Sequence, residues 1–271
     1  MRISKLPLPL LVLGALILTA GAASAQQAMD QPVYQVGFQK TKPGRGDDYT
    51  KKFEELVLPA YRELLKEGVI DGYFRYQVLM PGGTAAPYNV VSSVLFKNRT
   101  AWAQYEGKLG ALFQKKFPGR DVGGELAELR DTVRTVMFTR EAEIGAPPAE
   151  GTKPVFIAVS INVHPGHGDA FRKFGEEATL PVQKELLAKG VTEGYGRYPM
   201  VLPTGMGEEV NMVILTRYKD AAAWAAAEGK VGEVSRTLFP NRNLQQEAAS
   251  HRDVVRTELV RLTHVLTKPT S

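Results

Sequence analysis

The sequence contains no cysteine, which excludes a disulfide, a thiolate-bound zinc or iron–sulfur centre, a cysteine nucleophile and lipidation on sulfur. Histidine is nearly as scarce. His164, His167, His251 and His264 all fall in the second half, and the spacing of His164 and His167 implies no third ligand, so no metal site is expected. A strong charge of one sign is also lacking: 34 basic and 29 acidic residues leave +5. The basic residues are scattered, no nucleic-acid reading motif is present, and no nucleic-acid partner is expected. There is no Ser–His–Asp pattern, P-loop or dinucleotide fingerprint, and Gly82-Gly83 reads as a loop. What is present is 44% hydrophobic and 23% charged residue over 271 positions, the profile of one large folded domain or two small ones.

The one long apolar run lies at the N-terminus. Arg2 and Lys5 precede an apolar stretch from Leu6 to Ala20, and Ala23-Ser24-Ala25 supplies a small-residue cleavage pattern, which together read as a secretory signal peptide over 1–25. The mature chain is then expected to begin near Gln26, with a net charge of about +3 once Arg2 and Lys5 are removed. A periplasmic or secreted protein with no stable membrane span follows from this reading.

Beyond the leader the chain repeats itself. A shift of about 122 positions aligns 33–135 with 155–257 without a gap, and about 40 of roughly 103 positions are identical. Tyr73, Arg75 and Tyr76 recur as Tyr195, Arg197 and Tyr198; Glu106-Gly107-Lys108 recurs as Glu228-Gly229-Lys230. Two equal repeats, 33–144 and 155–266, are expected, joined by a Gly-, Pro- and Ala-rich linker over 145–154. Val155, Ile157, Val159, Ile161 and Val163 alternate as a strand with one apolar face. Its counterpart carries Tyr34, Val36 and Phe38 in the opposite phase, so either both faces are buried or one strand has a bulge. Helices are expected after Asp47 and Asp169 as N-caps, running to Gly68 and Gly190 as C-caps, with a kink or break at Pro59 and Pro181. Strands follow at about 73–80 and 89–96, then a helix capped by Asn98 (Asp220 in the second copy) that carries Trp102 (Trp224) at core spacing. A short helix at 122–130 and a last strand at 132–141 complete the copy, with counterparts at 244–252 and 254–265. Asn98-Arg99-Thr100 also matches a glycosylation sequon, but capping accounts for Asn98.

Strand, helix, strand, strand, helix, strand is the ferredoxin-like unit, an α+β arrangement with helices on one sheet face only. A bare face carrying Tyr, Val and Phe must be covered, so the two sheets are expected to pack face to face, forming one barrel with helices outside. With this order, and with Pro43-Gly44 followed by Tyr49 and Pro165-Gly166 followed by Phe171, the sequence resembles the dimeric α/β barrel superfamily, which includes antibiotic-biosynthesis-type monooxygenases and NIPSNAP-like proteins. The resemblance implies an intrachain version of that barrel and, for an enzyme, cofactor-independent oxidation of a phenolic or quinol substrate. Haem-binding relatives exist in the superfamily, and His251 is the one reasonable axial candidate. Gly68-Val69-Ile70-Asp71-Gly72 matches a Gly-x-x-Asp-Gly pattern of dye-decolorising peroxidases, yet capping accounts for these glycines and for Gly190 and Gly194. No cofactor is expected.

If strands alternate, Phe74, Tyr76, Val78 and Met80 face the helices, while Tyr73, Arg75, Gln77 and Leu79 face the barrel interior, with Tyr195 and Arg197 beside them. Arg134 and Arg256 are expected to point inward from the last strands. Tyr73, Arg75, Arg134, Tyr195, Arg197 and Arg256 are therefore the candidate ligand-binding residues, for an aromatic or anionic small molecule. Two readings compete with an internal site: the arginines pair with acids and knit the copies together, or side chains fill the barrel of a structural or interaction module. The glycines of the Glu-Gly-Lys helix motif suggest close approach of a neighbouring element. The two repeats are expected to pair with each other, and further oligomerisation is left open.

Overall fold

The structure is a computed structural model that describes residues 30–83, 86–203 and 209–268; the expected signal peptide lies outside them. In chain order the first half gives β1 (Val33–Thr41), α1 (Gly46–Lys52), α2 (Leu58–Lys66), β2 (Gly72–Met80), β3 (Val90–Phe96), α3 (Arg99–Lys116), α4 (Val122–Ala127), β4 (Arg130–Thr139) and β5 (Ala142–Ile144). The second gives β6 (Val155–Val163), α5 (Gly168–Phe174), α6 (Leu180–Ala188), β7 (Gly194–Leu202), β8 (Met212–Tyr218), α7 (Ala221–Ala226), α8 (Lys230–Leu238), α9 (Leu244–Ala249) and β9 (Arg252–Thr267). Among the described residues no helix is long and apolar enough to cross a membrane.

The antiparallel strands run β4-β1-β3-β2-β9-β6-β8-β7, and β7 returns to β4 to close a barrel. The interior is enclosed as expected, but the half-sheets meet edge to edge through hydrogen-bonded seams. One seam, β2 with β9, pairs eight residues of each strand. The other is weaker: β4 pairs β7 only through Met137↔Leu202 and Phe138↔Met200, and β5 extends the contact with Ala142↔Arg197, Glu143↔Gly196 and Ile144↔Tyr195. Closing the sheet in this way leaves no long unpaired edge, which an open sheet of this width would present to solvent.

The opposite phases of β1 and β6 are resolved by burial on both faces. Tyr34, Val36 and Phe38 line the interior, and so do their counterparts Phe156, Ala158 and Ser160. Val33 and Ile161, on the other face, are fully buried against the helices. Both strands also carry a register shift, at Phe38/Gln39 and Ser160/Ile161. At two of these three positions, Val36 against Ala158 and Phe38 against Ser160, the first half places the larger side chain inside.

The break expected at Pro59 and Pro181 takes a different form. Helices α1 and α2, and likewise α5 and α6, are joined by one π-helical turn, Phe53–Val57 or Gly175–Thr179. Leu58 N–H donates to Phe53 O and Leu180 N–H to Gly175 O, a wider turn that accommodates a proline without an N–H to donate. Asp47 and Asp169 lie in the first turn, two positions inside the caps held by Arg45 and His167. Asn98 and Asp220 do cap: their side chains accept from Ala101 N–H at 2.9 Å and Ala223 N–H at 2.8 Å. At the Glu-Gly-Lys motif the copies diverge, since α3 runs through Gly107 whereas Gly229, at φ +78°, separates α7 from α8. A Cβ on Gly107 or Gly110 would meet nothing within 4 Å, so close approach does not explain those glycines.

Candidate functional site

The strand phase of β2 is the reverse of that expected from the sequence. Phe74 and Tyr76 face the interior, whereas Tyr73 and Arg75 face the helices. Tyr73 stacks on Phe53 and Tyr61, with ring centroids 5.7 and 4.4 Å away. The Arg75 guanidinium lies between Tyr49 and Phe53, 5.0 and 4.7 Å from the ring centres. In the second half Arg197 sits over Phe171 at 4.8 Å. Aromatic faces attract a cation, so this side of the sheet accepts arginine although it packs against helices. The Tyr195 hydroxyl is buried and has no hydrogen-bond partner among the described residues; Arg197, Glu141 and Arg252 surround it electrostatically.

Arg134 and Arg256 are placed as expected, on the inward face of their strands. Arg134 Nη2 lies 3.7 Å from the Met200 sulfur. Arg256 covers the Tyr88 ring at 5.4 Å, and its Nη1 is 3.9 Å from Glu258 Oε1. Neither lines the central cavity.

That cavity has a volume of about 150 Å³ and is walled by Tyr34, Phe38, Phe74, Tyr76, Phe138, Phe156 and Tyr198, with Ala158, Ser160 and Gly196 providing room. Tyr34 meets Tyr198 edge-on at 5.3 Å, and Tyr76 meets Phe156 at 5.4 Å. A Cβ at Gly196 would come within 2.3 Å of the Tyr198 hydroxyl, so only glycine lets that ring lie across the strand. Burial holds the Tyr34, Tyr76 and Tyr198 hydroxyls above their ordinary pKa, keeping them neutral donors. An eight-stranded barrel has room either for packed side chains or for one small ligand, and this one retains space.

Three charged residues punctuate the apolar wall, Glu143, Arg217 and Glu258, and Glu143 is paired with Arg140 at 3.0 Å. Arg217, near one end of β8, donates through Nη2 to Ala146 O and Glu193 O, both at 2.5 Å, pinning the 145–148 segment beneath the cavity. Leu95 occupies the matching position of the first copy. Glu258 lies midway along β9 opposite Ala158, is 6% exposed, and accepts from the Tyr88 hydroxyl at 2.7 Å. Burial raises its carboxyl pKa, with Tyr88 and Arg256 acting in the other direction.

A folded pKa above the unfolded one favours the native state fully below about 4.5, the reference value, and that contribution disappears as pH rises through the folded value. Glu258→Gln is therefore expected to melt a few degrees above the unaltered chain at pH 8, with the gain shrinking towards pH 4.5. Thermal melts across that range check it; lower stability at pH 8 would contradict the assignment.

The histidines form no metal centre: among the described residues no group of three or more His, Asp or Glu could hold an ion. His164 Nε2 lies 3.2 Å from Asp253, and His167 Nδ1 lies 3.1 Å from His251 Nδ1. His251 does not suit haem ligation, since its ring packs against Phe171 and Phe174 and lines neither cavity. His264 borders a second, outer cavity, but its Nε2 is 3.1 Å from Glu54 Oε1, and Asp47, Arg75, Lys153 and Arg261 make that lining too polar for a porphyrin face.

These features define the class of fold: a closed antiparallel barrel clad in helices, the architecture of the dimeric α/β-barrel proteins. A candidate monooxygenase from Lactobacillus acidophilus shares it at a TM-score of 0.52 and 10% identity, over 88% of this chain and 97% of that one. A candidate chlorite dismutase matches at 0.52 and 13%, over 87% and 96%. An anthrone oxidase-like protein matches at 0.52 and 9%, over 89% and 94%. No protein-family model and no curated protein sequence matches the chain.

Proposed function

We propose that this chain is an exported barrel protein, made of two fused ferredoxin-like copies joined through 145–154, that binds one small aromatic molecule inside the barrel. The observation that carries the reading is the central cavity, whose mostly apolar wall carries the rings of Tyr34, Phe38, Phe74, Tyr76, Phe138, Phe156 and Tyr198. An aromatic guest suits it better than an anion, because the guanidinium at its border, Arg217, is occupied by backbone carbonyls. Tyrosine hydroxyls around an apolar pocket offer few but directional contacts, the pattern that orients a small ligand. The interior of a purely structural module would be filled by its own side chains. Native mass spectrometry of the mature protein, followed by a fluorine NMR titration with 4-fluorophenol, tests the proposal. A co-purified small molecule or saturable binding supports it; absence of both overturns it.

A second reading makes the site catalytic, and the likeness to oxidising proteins together with the buried Glu258 favours it. In this reading Glu258 accepts a proton from a phenolic or quinol hydroxyl, and dioxygen is the oxidant. Oxidation of a quinol releases two protons and two electrons, reducing dioxygen to hydrogen peroxide. Oxygen uptake with a simple quinol, reduced at least about tenfold by Glu258→Gln, is the expected result.

A further inference from the structure

The two arginines that stack in the helix layer are not equivalent. Arg197 has a carboxylate of its own, with Glu141 Oε2 3.0 Å from Nη2, and it also reaches Phe171 O and Arg172 O. Arg75 is as deeply buried, 4% exposed against 2%, yet among the described residues no carboxylate lies within 4 Å of it. Nε lacks an acceptor in both arginines, but Arg75 Nη2 has only one long bond, to Thr50 Oγ1 at 3.4 Å. A buried guanidinium without a counter-charge is costly, and a carboxylate matched to its planar fork is the natural complement.

The repeat shows where that carboxylate belongs. Glu141 and Thr263 occupy matching positions, one 122-residue shift apart. Glu141 lies at the break between β4 and β5, and its N–H donates to Arg197 O. Thr263 is the extra residue of a bulge in β9, skipped between Arg75↔His264 and Tyr76↔Leu262, and its hydroxyl donates to Arg75 O at 2.9 Å. Bulges re-aim side chains, and here both copies direct the irregular residue at the arginine. Beside Arg197 stands an acid, Glu141; beside Arg75 the matching position holds a hydroxyl, Thr263.

Arg75 also borders the outer cavity, of about 420 Å³, which Arg197 does not. Lys153 and Arg261 add cations at its border; of the acids, Glu54 is engaged by His264, and Asp47 stands in the first turn of α1. We propose that this cavity is a binding site for a small organic carboxylate, held by Arg75 where Glu141 holds Arg197. The site is separate from the barrel chamber and stands whether or not an aromatic molecule binds there.

Acetate is the probe, compared with chloride at equal ionic strength and pH 7. The unaltered chain is expected to melt a few degrees higher in saturating acetate, with a shift of the Arg75 Nε–H resonance. Arg75→Gln is expected to weaken acetate binding at least about tenfold. Thr263→Glu, which supplies the missing acid internally, is expected to raise the melting temperature in chloride and abolish the response to acetate. Should Arg75→Gln fail to fold, Thr263→Glu still decides. No acetate response in the unaltered chain, or an equal response in Thr263→Glu, overturns the proposal.

Discussion

Ala158→Trp is expected to weaken 4-fluorophenol binding by at least tenfold, about 1.4 kcal/mol or more. Ala158 stands near the middle of β6, opposite Leu215 on one side and Glu258 on the other, with its methyl group towards the cavity. An indole there occupies the space a guest would need. Overpacking a filled core costs about 1–3 kcal/mol, but an open chamber absorbs the added ring, so a smaller loss of stability is expected. The pair of measurements separates a real chamber from a packed one: affinity falls while the melting temperature holds. Unchanged affinity would place the guest elsewhere, and gross unfolding would show that the interior has no room.

Arg197→Met is expected to lower unfolding free energy by about 3 kcal/mol or more, whereas Arg75→Met costs about 1 kcal/mol or less. Removing Arg197 strands Glu141, which is 18% exposed; burial already holds that carboxyl above its ordinary pKa, and the arginine is the leading counterweight. The carbonyls of Phe171 and Arg172 lose a donor as well. The space is specific to this arginine, since a Cβ on Gly175 would fall 1.2 Å from Arg197 Nη1, and methionine does not reproduce the planar fork. Removing Arg75 strands no acid, and relief of an uncompensated buried charge offsets the lost ring contacts. Chemical denaturation of both variants measures the difference; equal losses would contradict the asymmetry on which the carboxylate site rests.

Much of the closed, helix-clad barrel was legible in the sequence because motifs 122 positions apart gave its elements two readings. The gapless repeat marked corresponding elements, Asn98 and Asp220 announced the caps, and an apolar sheet face required cover. The facing of β2 was not legible. Tyr73, Phe74, Arg75 and Tyr76 alternate between two buried faces, so neither phase stands out, and a one-residue choice of phase exchanges every side chain. The helix side accepts the arginines because Tyr49, Phe53 and Phe171 turn ring faces to the guanidinium groups. The chamber residues Tyr76 and Tyr198 were missed for the same reason, and Tyr34 and Glu258 were not singled out. The signals that could have found the polar positions are mismatches between the copies: Arg217 against Leu95, Glu258 against Val136, and Thr263 against Glu141. Where a repeat changes chemistry at one position, the change marks a role that the fold alone does not require.

A crystal structure of the mature chain grown with 4-fluorophenol tests the central claim most directly. The ring is expected within the barrel, bounded by Tyr76, Phe156 and Tyr198, with β2 bonded to β9 and β4 to β7. A chamber filled by its own side chains, open seams between the halves, or a ring found only on the outer surface would contradict it.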